Sequence, residues 1–229
     1  MVTRSEPVAM PREPPDAVLA RLRDEIRRIE RRPARRQGFL PCGRGEIDDL
    51  LPGGGFPRGA LAELAGGPAS GKTAAALSLF AALGPGDLAA FVDGRGELYP
   101  PAAAALGVDL SRLLWVRPAA RPAGPGADPA LGALWAAEAL LGSGAFAAVA
   151  VDVLLPPRLR GAETALRRLQ AAAEKGGAVG LWLSGGEAGF RVPAAIRIDL
   201  EPGEGRPLAR RRVGGAPVPL RAGGGVHAA

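Results

Sequence analysis

Gly66-Gly67-Pro68-Ala69-Ser70-Gly71-Lys72-Thr73 satisfies the pattern G-x-x-x-x-G-K-[ST] at every fixed position. It is preceded by a short apolar run, Ala60–Ala65, that reads as a strand. Lys72–Leu83 follows as a helix and is closed by Gly84-Pro85-Gly86. Strand, glycine-rich turn and helix aim backbone N–H groups and the positive end of a helix dipole at one point, an arrangement suited to phosphate. Composition supports the reading: all but two of the 29 basic residues are arginine, and one of the two lysines is Lys72. The position needs a slim ammonium that can run along the loop to the β- and γ-phosphates, and a planar guanidinium replaces it poorly. Gly66, Gly67, Pro68, Ala69, Ser70, Gly71, Lys72 and Thr73 are therefore expected to hold a nucleotide, ATP or ADP. Lys72 would sit on the phosphates and Thr73 on Mg²⁺.

Downstream, short apolar strands alternate with helices. Strands are expected at 88–92, 113–116, 146–151 and 178–183, and helices at 101–106, 129–141 and 162–174; a closing hairpin is expected from 194–200 and 208–213. Such alternation predicts an α/β fold with a mostly parallel sheet covered on both faces. The run Phe146–Val151 ends on Asp152, and a carboxylate at the end of a buried strand is the second element of a P-loop site, ordering Mg²⁺ beside Thr73. Asp93, Arg95 and Glu97 follow the strand 88–92, at the strand ends where open α/β sheets place their chemistry. A carboxylate there could orient a water; equally, all three could be solvated loop charges.

The bulk properties narrow the class. With 229 residues and 47% apolar content, the chain can build one sizeable domain. A net charge of +6 fits a polyanionic partner such as nucleic acid, and fits equally a solvated arginine-rich surface. One cysteine, Cys42, excludes an internal disulfide, and Cys42 with the lone His227 makes no Cys/His metal cluster. Residues 1–15 are polar and proline-rich, unlike a secretory leader, and charges and prolines interrupt every apolar run before it can span a membrane; a cytoplasmic protein is expected.

The expected organisation is a disordered segment 1–15, an N-terminal helix and linker over 16–58, a core over 59–213 and a flexible tail over 214–229. Within the first helix, Asp16 to about Arg32, the residues Val18, Leu19, Leu22, Ile26 and Ile29 recur at helical spacing. This apolar stripe, with Leu22, Ile26 and Ile29 at its centre, is expected to dock on its own domain, on a second copy or on another protein.

Further segments carry a family resemblance. Pro52-Gly53-Gly54-Gly55-Phe56-Pro57-Arg58-Gly59, Phe91-Val92-Asp93-Gly94-Arg95-Gly96-Glu97-Leu98-Tyr99-Pro100, Leu106-Gly107-Val108-Asp109-Leu110 with Leu113-Leu114, and Ala195-Ile196-Arg197-Ile198-Asp199 together resemble the bacterial RecA recombinases over roughly residues 16–218. The resemblance implies a RecA-type P-loop NTPase core with a twisted, mostly parallel sheet flanked by helices. It also shows departures. The catalytic glutamate of RecA proteins falls on Arg95, leaving Glu97, two residues on, as the candidate for orienting water. The adenine-stacking tyrosine falls on Ala102, with Tyr99 nearby as the candidate nucleotide-binding residue in its place. The nucleotide-sensing glutamine is replaced near Ser184, and both DNA loops are shortened, after Asp152 and after Leu183.

A RecA core so trimmed resembles the accessory proteins of the bacterial translesion mutasome, the ImuA (SulA-like) group. That implies a role in the DNA damage (SOS) response beside an error-prone polymerase. The implied partners are an ImuB-type polymerase-related protein and, further, RecA or a second copy, with weak hydrolysis or none. Arg158, Arg160 and Arg191, with Arg167 and Arg168, could form a phosphate-tracking surface at the shortened loops. Arg210, Arg211 and Arg212 read either as arginines reaching a neighbour's nucleotide or as a charged edge strand. The competing function is an active DNA-dependent ATPase or recombinase.

Overall fold

The computed structural model describes residues 38–118, 128–157, 159–185 and 192–202, together with the backbone of 208–213 and 216–218. The stripe Leu22, Ile26 and Ile29, the residues Arg158, Arg191 and His227, and the side chains of Arg210, Arg211 and Arg212 lie outside what is described.

The chain enters through a small two-stranded antiparallel sheet, β1 (Phe39–Leu40) with β2 (Phe56–Pro57), which brackets the one-turn helix α1 (Gly45–Asp48). β3 (Ala60–Ala65) leads into α2 (Lys72–Ala81). β4 (Leu88–Asp93), α3 (Pro100–Ala105), β5 (Leu113–Val116), α4 (Pro129–Gly142), β6 (Phe146–Asp152), α5 (Ala162–Gly176) and β7 (Val179–Ser184) follow in alternation. β8 (Ile196–Glu201), β9 (Leu208–Val213) and β10 (Ala216–Val218) close the described chain.

The main sheet runs β10-β9-β8-β3-β7-β6-β4-β5. The six strands from β8 to β5 are mutually parallel, and β9 and β10 extend the β8 edge in antiparallel fashion. Buried parallel strands need apolar residues on both faces, and these strands supply them in alternation. Ala62, Leu64, Phe91, Ala148, Ala150, Leu181 and Leu183 face the layer of α2, with its buried Ala75, Ala76, Leu79 and Phe80. Leu61, Ala90, Val92, Val149, Val151 and Trp182 face the layer of α4 and α5, with Leu134, Leu141, Leu166 and Leu169. α4 has Asp128 as its N-cap, accepting the Ala130 N–H, and Pro129 at its first position; the amphipathic α5 ends in a left-handed Gly177.

Two expectations change. The linker ending at residue 58 is in part core: Leu40, Cys42, Ile47, Leu51 and Phe56 all join the cluster beneath α2. Ile47 and Phe56 are fully buried, a contribution of about 1.5–3 kcal/mol each. Their irregular spacing carries no periodic signal, because the segment wraps an existing core rather than adding a layer. The tail read as flexible from Gly214 contributes β10, paired antiparallel with β9 through Ala216↔Val213. Among the described residues, no helix is long and apolar enough to cross a membrane.

Candidate nucleotide site

Because the central strands are parallel, their C-terminal ends share one edge of the sheet. Register places Ala65 beside Ser184, and Asp93 beside Asp152. The loop 66–71 leaves β3 at this edge and enters α2 through a left-handed Gly71. Ala69 takes a positive φ of 58°, strained for a residue with a side chain, which places local strain within the loop. Lys72 Nζ donates to the carbonyls of Gly66 and Gly67, each at 3.1 Å. The Ser70 hydroxyl is buried with no hydrogen-bond partner among the described residues. A loop carrying a cation and an unmatched buried donor fits an oxyanion ligand.

Asp152 ends β6 and is buried. Burial pushes its carboxyl up to about 6; Arg95 and Lys72 pull it down, while Glu97 and Asp93 add to the rise. The loop and Asp152 lie at the same C-terminal edge of the sheet, one strand, β7, between them.

Asp93, open to a catalytic reading in the sequence, is a structural anchor. It is 2% exposed and accepts the Glu97 N–H at 2.9 Å, the Leu98 N–H at 3.2 Å and the Trp115 indole N–H at 3.0 Å. These bonds, with the Gly94 N–H on the Asp152 carbonyl at 2.8 Å and a left-handed Gly96 at φ 70°, fold the turn 94–97 back over the end of β6. Arg95 is thereby brought over Asp152, with Nε 3.8 Å from Oδ1. Its outer nitrogen donates to Glu97 Oε1 at 2.7 Å. That bond holds the guanidinium above its ordinary pKa. Glu97, the candidate water-orienting carboxylate, is thus ion-paired with Arg95 and more than half exposed. Tyr99 is exposed at the start of α3.

The fit to a magnesium–nucleotide complex is uneven. Thr73, in the first turn of α2, offers a hydroxyl of the right kind. The Asp152 carboxylate is already matched by a guanidinium.

Of the remaining candidates, Arg160 and Arg167 are exposed. Arg168 is tied to Glu138 across α4 and α5 at 2.6 Å. Sequence reasoning passed over Glu63 on β3. It is 4% exposed, accepts from Ser184 Oγ at 2.8 Å, and receives Arg197 on both oxygens at 3.1 Å. An ionisable residue inside the apolar run 60–65 was the available signal.

A parallel sheet with a P-loop motif at the end of a central strand and a buried aspartate two strands away defines a P-loop α/β core. The order of the strands and the flanking motifs narrow the class further: the chain belongs to the RecA N-terminal domain family, whose model matches residues 23–159. Relatives include the RecA protein of Rubrobacter xylanophilus, 38% identical over 128 residues, which is 56% of this chain and 35% of that protein. The RecA protein of Symbiobacterium thermophilum is 41% identical over 114 residues, 49% of this chain and 30% of that protein. The matched region thus spans about a third of the length of these relatives.

Proposed function

We propose that this chain is a RecA-fold protein that binds ATP or ADP at Gly66–Thr73 and acts mainly through protein contacts, with little or no hydrolysis. The observation that carries this reading is the Arg95–Glu97 ion pair lying over Asp152. At the position where the resemblance implies a catalytic glutamate, the chain carries a cation, and the candidate substitute carboxylate, Glu97, is engaged by that cation. The Glu97 oxygen so engaged accepts the guanidinium N–H in place of a water. The resemblance to mutasome accessory proteins supports a role in the DNA damage response and translesion synthesis, beside an ImuB-type polymerase-related partner. RecA and a second copy of the chain are further proposed partners, and Mg²⁺ the ion that accompanies nucleotide.

A second reading, an active DNA-dependent ATPase or recombinase, is favoured by the complete phosphate loop and by relatives that bear the name RecA. One experiment separates the two. Binding of a labelled ATP analogue and ATP turnover are measured with and without single-stranded DNA, using wild type and Lys72→Ala. The accessory reading expects binding lost in Lys72→Ala and turnover near background throughout. Strong DNA-stimulated turnover that Lys72→Ala abolishes establishes the recombinase-type reading instead.

A further inference from the structure

We propose that Arg95 is a built-in cation of the nucleotide site, bridging Asp152 and a nucleotide phosphate, so that nucleotide binds with little dependence on a divalent metal. The inference rests on the reading of Gly66–Thr73 as a nucleotide loop.

The placement of Arg95 is fixed rather than incidental. Asp93 holds the turn by accepting the Glu97 N–H, and Gly94 is bonded to the Asp152 carbonyl, so the backbone bearing Arg95 is fastened to the strand bearing Asp152. Glu97 then holds one edge of the guanidinium at 2.7 Å and acts as a positioning residue. A second nitrogen of the same group, Nε, lies 3.8 Å from Asp152 Oδ1, too long for a hydrogen bond but within charge contact.

That Nε is also buried with no hydrogen-bond acceptor among the described residues. A buried N–H without an acceptor is unfavourable, and a ligand that brings one is stabilised by it. The matching chemistry is a phosphate oxygen. Guanidinium groups bind phosphate strongly, and the phosphate loop leaves β3 at the same edge of the sheet as the turn that carries Arg95. A divalent cation and a guanidinium satisfy a buried carboxylate in the same way and compete for it. With Arg95 in place, Asp152 has its counter-charge before any metal arrives.

The test uses the full chain, a fluorescent ATP analogue, and buffers containing either EDTA or Mg²⁺. Wild type is expected to change affinity by less than about threefold between the two buffers, and Arg95→Gln to lose about tenfold or more in EDTA with recovery in Mg²⁺. Electron paramagnetic resonance of Mn²⁺ with the nucleotide gives a second readout, in which Arg95→Gln holds Mn²⁺ more tightly than wild type. A wild-type loss of about tenfold or more in EDTA overturns the inference even where Arg95→Gln does not fold. So does an unaltered metal dependence in a folded Arg95→Gln. Absence of binding by wild type in both buffers marks a different failure, that of the nucleotide reading itself, and the inference falls with it.

Discussion

Ser184 Oγ donates to Glu63 Oε1 at 2.8 Å, while the Ser184 carbonyl accepts the Gly66 N–H at 3.1 Å. One residue at the end of β7 thus grips both the interior of β3 and the first glycine of the phosphate loop. Arg197 on β8 completes the arrangement by pairing with Glu63 from the other side and with Asp199 at 3.0 Å. Glu63 is buried, and its oxygens are matched by these partners.

Removing Arg197 therefore leaves a buried carboxylate without its counter-ion. Arg197→Ala is expected to lower unfolding free energy by about 2–3 kcal/mol in urea titrations. Arg168→Ala breaks only the exposed pair with Glu138 and is expected to cost less than about 1 kcal/mol. Equal losses for the two variants would contradict the role assigned to Glu63.

The phosphate loop makes a prediction through shape alone. A Cβ on Gly66 would lie 2.5 Å from the Leu200 carbonyl and also collide with Ser70, whereas a Cβ on Gly67 meets nothing within 4 Å. Gly66→Ala is expected to cost about 2 kcal/mol and to weaken nucleotide binding; Gly67→Ala should stay within about 0.5 kcal/mol of wild type. Thermal melts of the two variants, read side by side, check the contrast.

Cys42 offers a chemical and a pH test. Burial pushes its thiol up to about 12 from an ordinary value of 9.0, with the Asp48 side chain adding to the rise. Between these values the unfolded chain releases a proton that the native chain keeps, so the Cys42 contribution to stability falls as pH rises from 9 toward 12, by about 1.4 kcal/mol per unit. Cys42→Ala should remove that part of the alkaline slope. In native wild type, iodoacetamide at pH 8 should leave Cys42 unmodified until denaturant is added; rapid native labelling would show the thiol to be accessible.

The N-terminal stripe carries a prediction about assembly. Replacing Leu22 and Ile26 with glutamate should abolish binding to a protein partner or to a second copy, with the core melting unchanged. Light scattering and pull-down with the intact chain check it, and assembly that survives both changes removes the docking role from Leu22, Ile26 and Ile29.

Local order determined what the sequence settled by itself. The loop Gly66–Thr73, the strand ending at Asp152 and the alternation of strands with helices each depend on neighbours in the chain, so spacing and residue type fix the parallel α/β core and its phosphate loop. Tertiary structure alone decided the rest. Nothing in the spacing of Arg95, Glu97 and Asp152 says that the first would pair with both carboxylates; that follows from a turn that Asp93 holds together and that the Gly94 N–H fastens to the end of a strand some 60 residues away in sequence. Glu63, Ser184 and Arg197 come from three separate strands and meet only when β3 lies between β7 and β8. Ile47 and Phe56, in a stretch that reads as linker, become core because the sheet presents an apolar face that they cover. Hydrophobic burial and ion pairing act through space, and their partners are set by strand order rather than by proximity along the chain.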